Sequence, residues 1–175
     1  MSREHHLVEL VGVDGRPVGT ATVEAAHQAP GRLHRAFSVL LLGPDGRLLL
    51  QQRAAVKTRF ALRWANSCCG HPAPGEPVAE AAARRLDEEL GASASLKEVG
   101  VYVYQAGDPD SGRVEFEYDH VLVGEYDGPV RADPREVAST EWVPVDELAE
   151  RMARFPDFYA PWLPGVLDAW RSSPR

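Results

Sequence analysis

At 175 residues the chain is long enough for one domain with a sizeable buried core, and its formal net charge of -7 excludes nucleic acid as a general partner. An anionic substrate remains open to it wherever basic residues gather locally. No apolar run approaches the roughly 20 residues of a membrane span, and Met1-Ser2-Arg3-Glu4-His5-His6 lacks the apolar segment of a signal peptide, so a cytoplasmic protein is expected. Cys68 and Cys69 are the only cysteines and are adjacent. Neighbouring Cα atoms sit ~3.8 Å apart, short of the about 4.4 to 6.8 Å that a disulfide spans, which predicts two free thiols.

Residues 7–13 and 17–23 flank Asp14-Gly15-Arg16 and predict a β-hairpin. Residues 36–42 and 48–52 flank Gly43-Pro44-Asp45-Gly46-Arg47 and predict a second hairpin, whose continuous apolar content implies a buried sheet. Residues 53–67 have no clean period, and Arg53, Lys57, Arg59 and Arg63 make them a basic loop in an acidic chain. From Glu76 to Gly91 the pattern is helical. Pro77 at the first helical position loses no needed N–H, Gly91 is a stop, and Ala79, Ala82, Ala83, Leu86 and Leu90 form an apolar face. Arg85, Glu88 and Glu89 lie three and four apart and share another face. Strands are predicted at 97–104 and 113–125, joined by the turn-rich 107–112. A short strand near 140–143 precedes a helix over 144–154, Pro156, Pro161 and Pro164 break the chain, and a last helix covers 165–171. Strands dominate and helices come singly, so the fold class is mixed α/β (α+β), with disorder expected only at 1–5 and 172–175.

His27 and His34 frame the loop 28–33, and His71 follows the two cysteines. Glu115 and Glu117 are two apart on a strand and therefore share one side of the sheet, with Val114, Phe116 and Tyr118 on the other. Taken singly, each of these groups is more often a surface or satisfied residue than a ligand. Three imidazoles and two carboxylates together would make a mixed N/O site, suited to zinc, manganese or iron and poorly suited to calcium.

Gly70, Glu76 and the run Arg84-Arg85-Leu86-Asp87-Glu88-Glu89-Leu90-Gly91-Ala92 resemble the Nudix box, a loop-helix-loop for metal-bound diphosphates. The Nudix pattern has Glu where this chain has Arg85, which disfavours a multi-metal hydrolytic site and favours a diphosphate held partly by a guanidinium fork. Ala26-His27, Arg32-Leu33-His34-Arg35-Ala36-Phe37, Asn66-Ser67-Cys68-Cys69-Gly70-His71-Pro72 and Glu115-Phe116-Glu117 are similar, in this order, to type I isopentenyl diphosphate isomerases over about residues 7–165. Cys69-Gly70-His71-Pro72 is the most discriminating part, because ordinary Nudix hydrolases have no thiol at the opening glycine.

That resemblance implies a single Nudix-like domain, a sheet core with flanking helices. It implies one Mn²⁺ or Zn²⁺ held by His27, His34, His71, Glu115 and Glu117, and a Mg²⁺ on the substrate diphosphate to which Glu89 contributes. Cys69 and Glu117 would be the proton-transfer pair, assisted by Tyr104; Arg53, Lys57 and Arg85 would meet the diphosphate, and Trp162 the hydrocarbon end. The lysine that some relatives carry before the first histidine is missing from Thr22-Val23-Glu24-Ala25-Ala26. The implied activity is an allylic proton shift converting isopentenyl to dimethylallyl diphosphate in isoprenoid biosynthesis. The implied protein is a monomer or weak dimer that takes a small-molecule diphosphate. The alternative is a Nudix hydrolase of a diphosphate-containing nucleotide derivative, disfavoured by Arg85 and the thiol. A metal-stabilised binding module is disfavoured by the joint presence of Cys69, Glu117 and Tyr104.

Overall fold

The computed structural model describes residues 3–174. Its sheet has nine strands among the described residues: β1 (Leu7–Val11), β2 (Pro17–Thr22), β3 (His34–Leu42), β4 (Leu48–Arg53), β5 (Trp64–Ala65), β6 (Cys68–Gly70), β7 (Lys97–Gly107), β8 (Val114–Glu125) and β9 (Val137–Val143). The helices are α1 (Val23–His27), α2 (Val78–Leu90), α3 (Val145–Arg154) and α4 (Leu163–Arg171). The mixed α/β class read from the sequence is the class observed.

β3 is the hub. Along one edge it pairs in parallel with β8 over its whole length, from His34↔Glu117 to Leu42↔Glu125. Its other edge is divided among β1 at His34, β6 at Phe37–Val39 and β4 at Leu42. The second hairpin therefore closes as predicted at its turn, yet β3 and β4 share only the Leu42↔Leu48 pair. Beyond it β4 diverges to pair with β9 and β5. A branched sheet of this kind has two inner faces, and the alternation of β3 feeds both. Phe37, Val39 and Leu41 pack under α2, whereas Leu40 joins Val121, Trp162, Leu163, Val166 and Leu167 under α4.

α2 follows the loop that opens at Gly70. Pro77 stands just before the helix with extended φ and ψ, and Gly91 stops it at φ 58°, its N–H donating to Asp87 O (2.8 Å). The buried face differs from the predicted one: Ala81, Ala82, Arg85, Leu86, Glu89 and Leu90 are buried, while Ala79 and Ala83 are exposed. Two charged residues sit within the buried stripe because they pair there, so the stripe cannot be traced from apolar residues alone. Gly70 is needed at the start of this unit for close approach: a Cβ there would lie 2.7 Å from Phe37 Cζ and 3.3 Å from Arg85 Cγ.

At the N-terminus, Arg3–His5 form a turn of 3₁₀ helix, held by a bond from His6 N–H to Arg3 O (3.0 Å) and by ion pairs of Arg3 with Glu88 and Glu136. Both of these partners of Arg3 lie more than 80 residues away along the chain. Helix α4 ends at Arg171, and Ser173 Oγ donates to Trp170 O (2.7 Å), so the described part of the C-terminal end is also tied down. Residues 1, 2 and 175 lie outside the described residues. No described helix is long and apolar enough to cross a membrane.

Candidate active site

Sheet register places the chemistry on one face. β3 pairs His34 with Glu117 of β8 and Ser38 with Cys69 of β6, and β7 pairs Tyr104 with the same Glu117. Residues paired across strands project to the same side, so His34, Ser38, Cys69, Tyr104 and Glu117 share a face. Glu115, two residues before Glu117, joins them. The adjacent cysteines point oppositely: Cys68 pairs with Val39 and is wholly buried in the α2 core, while Cys69 is half-buried and opens onto the cavity. That cavity, of about 750 Å³, is lined by Arg53, Lys57, Cys69, His71, Arg85, Tyr104, Glu115, Glu117 and Trp162, among others.

Five side chains from four parts of the chain converge beside it, with His71, Glu115 and Glu117 in its wall and His27 and His34 buried behind them. One ligand-capable atom from each of His27, His34, His71, Glu115 and Glu117 lies within 4.8 Å of all the others. His27 comes from the end of α1, an element of five residues too short to carry a helical period. Its Nδ1–H donates to Val23 O (2.6 Å), and His34 Nδ1–H donates to Arg32 O (2.7 Å), which leaves both Nε2 atoms facing inward. His27 Nε2 meets Glu115 Oε2 at 2.9 Å and His71 Nε2 meets Glu117 Oε1 at 2.9 Å. His34 Nε2 is buried, stands 3.6 Å from Glu117 Oε1, beyond hydrogen-bond reach, and has no partner among the described residues. A buried lone pair aimed into a nest of carboxylates and imidazoles fits a divalent cation.

The titration behaviour follows from this crowding. Burial pushes His71 down to about 4 despite its bond to Glu117. Burial would raise Glu117, but the His34 and His71 imidazoles outweigh it and hold the carboxyl well below the usual range. Burial, with Glu117 beside it, drives Tyr104 well above 10, so the hydroxyl keeps its proton and donates it to Glu117 Oε2 (2.7 Å). Burial pushes the Cys69 thiol up to about 12, Asp119 adding to the shift and the Arg53 guanidinium opposing it.

The opposite end of the cavity is basic and acidic together. Arg85 is 5% exposed and binds Glu88 (2.7 Å), Glu89 and Glu136 (3.4 Å). Lys57 binds Glu136 and lies 3.9 Å from Glu89. Glu89 also accepts from Gln51 Nε2 (2.9 Å) and stands apart from the five-residue cluster. Arg53 Nε–H and Nη2–H donate to Arg59 O, and its guanidinium carbon lies 5.5 Å from the Trp162 ring centroid. Trp162 is packed edge-on by Phe60 (5.3 Å), a residue in the left-handed region (φ 47°) whose N–H donates to Asp108 Oδ2 (2.9 Å).

Arg59 and Glu136 line the cavity, and Asn66, Ser38 and Asp119 stand in and behind the contacts of the Cys69 sulfur, none of them singled out from the sequence. Arg59 was visible only as part of a basic loop; here it is buried and donates to Glu115 Oε1 (3.2 Å), leaving Oε2 to His27. Glu136 had no signal at all, being one acidic residue in a loop.

The fold and this face define a class. A family model described as the NUDIX domain matches residues 32–165. Solved structures with the same fold include DR0079 from Deinococcus radiodurans (TM-score 0.76, 20% identity, covering 95% of this chain and 100% of that one) and a MutT protein from Methanosarcina mazei Go1 (TM-score 0.65, 16% identity, 79% and 93%). Curated relatives are far more similar. The isopentenyl-diphosphate Delta-isomerase of Nocardia farcinica is 59% identical over 161 residues, 92% of each chain, and that of Streptomyces avermitilis is 52% identical, covering 97% of this chain and 85% of its own. The chain belongs to the isopentenyl-diphosphate Delta-isomerase family within the Nudix superfamily.

Proposed function

We propose that the chain is an enzyme that converts isopentenyl diphosphate to dimethylallyl diphosphate by moving a proton across the allylic unit. The single observation that carries this reading is the pairing, in one cavity, of the Tyr104–Glu117 hydrogen bond with the Cys69 thiol, two proton-bearing groups a hydrolase would not need. An unactivated alkene is a very weak base, so its terminus must be protonated by a group held against it; C2 then loses a proton to a second group. For the step to balance, the Cys69 thiol, which burial and Asp119 hold protonated and Arg53 favours as thiolate, first passes its proton to the Glu117 carboxylate; the Tyr104–Glu117 pair then gives a proton to the alkene terminus and the Cys69 thiolate takes one from C2. Trp162 lines the same cavity, and its ring face stabilises the tertiary cation by about 2 kcal/mol. That is only about 30-fold in rate, so donor placement and exclusion of water supply most of the acceleration.

His27, His34, His71, Glu115 and Glu117 would hold one divalent ion, manganese or zinc by donor type. When bound, the ion would neutralise the two buried carboxylates and polarise the groups it touches. Arg53, Lys57 and Arg85, which line the cavity, would bind the diphosphate, and Glu89, beside Arg85, would contribute to its magnesium. Metal analysis of the purified protein beside a His71→Ala variant tests the shared site. The variant should lose most of the tightly bound ion, and equal metal content after removal of loosely held magnesium would contradict it.

A further inference from the structure

Asn66 lies between β5 and β6 and is wholly buried. Its Nδ2 donates to Cys68 O (2.9 Å) and Val39 O (3.3 Å), and because both partners are carbonyls the orientation of the amide is fixed by chemistry. The other end, Oδ1, accepts from two donors: the indole Nε1–H of Trp162 (3.0 Å), 96 residues away, and the Cys69 thiol (3.3 Å). Both lone pairs are thus engaged. The sulfur's remaining contact, Ser38 Oγ at 3.7 Å, is weaker, since that hydroxyl donates to Asp119 Oδ2 (2.7 Å).

We propose that Asn66 is a positioning residue for the allylic proton shift, its one oxygen accepting from the indole throughout and from the Cys69 S–H before and after the sulfur acts as thiolate, so that sulfur and ring are set against the same substrate carbons. The proposal rests on the isomerase reading and on the roles of Cys69 and Trp162 within it. A sulfur held at one place can reach only one of the two C2 hydrogens, whereas a loosened sulfur reaches both. Asn66 itself touches no substrate and moves no proton.

The experiment uses isopentenyl diphosphate carrying deuterium stereospecifically at C2, with mass analysis of the product. Wild type should remove one of the two hydrogens only. Asn66→Leu, close in size, should lower kcat about 100-fold, the loss expected for a displacement near 1 Å. KM should stay within about twofold and the choice at C2 should become mixed. Trp162→Phe leaves the bonds of Asn66 to Val39 and Cys68 in place and removes only one anchor, and it should also mix the choice. The double variant should be no worse than the poorer single, because both cut one connection. A folded variant of either kind that still removes only the wild-type hydrogen overturns the proposal, as does a wild type with no preference. If Asn66→Leu does not fold, Trp162→Phe decides by the same criterion. A wild type that forms no isomerised product sinks the isomerase reading itself, before any variant is made, and this proposal with it.

Discussion

Replacing Arg85 with Met should destabilise the protein as well as weaken substrate binding, and the two effects separate cleanly. The guanidinium is 5% exposed and pairs with Glu89, itself 2% exposed, and with Glu88 and Glu136. Removing one partner of a buried pair costs about 3 to 5 kcal/mol, because the other charge is left without compensation. Lys57, 3.9 Å from Glu89, remains as a partial substitute and places the expected loss near the lower end. For a chain of this size about 3 kcal/mol corresponds to a fall of roughly 6 to 12 °C in Tm. Calorimetry of Arg85→Met and of Arg85→Met/Glu89→Gln reads this directly: the double variant, having no stranded charge, should recover at least half of the loss. A fall below about 3 °C for the single variant, or a double variant as unstable as the single, would refute the reasoning. Losing a charge-assisted bond worth roughly 1.5 to 3 kcal/mol should also raise KM by about 10- to 100-fold.

Cys69→Ser should abolish turnover with folding intact, since a serine hydroxyl is far less acidic than a thiol and does not supply the anion that takes the C2 proton. Cys68→Ser should keep turnover but lose about 1 to 3 kcal/mol for placing a hydroxyl in the α2 core. Reversed outcomes would assign the chemistry to the wrong sulfur. In chelator-treated protein, His71 has its folded pKa lowered from 6.5 to about 4, so between those values the unfolded chain binds more protons and stability falls as pH falls. Its share is about 3 kcal/mol, complete by pH 4 and absent above 6.5. Denaturation at pH 7 and pH 5 should show a steeper acid loss in wild type than in His71→Gln, and equal slopes would contradict the assignment.

The parts of this account that were legible in the sequence are those governed by short-range periods. Period two put Glu115 and Glu117 on one side of β8, and the helix start and stop at Pro77 and Gly91 bounded α2 to within a residue or two. Periodicity did not say which side of β8 is buried: Glu115 and Glu117 are inside, while Val114, Phe116 and Tyr118 are only half-covered. Burial followed the imidazoles facing those carboxylates rather than hydropathy. The parallel pairing of β3 with β8 joins residues more than 80 apart, and no local signal carries it. The same holds for Trp162 on Asn66 and Arg59 on Glu115, contacts whose partners are chosen by the sheet once it has formed. The resemblance named the three clustered histidines; the register explains why Cys69 and Cys68, one peptide apart, face a cavity and a core.

The most direct test of the central claim is incubation of the purified chain with isopentenyl diphosphate, with and without added magnesium, followed by product analysis. Dimethylallyl diphosphate should form with the diphosphate intact, at a rate that rises with magnesium. Release of phosphate without an isomerised product, or no reaction at all, would contradict it.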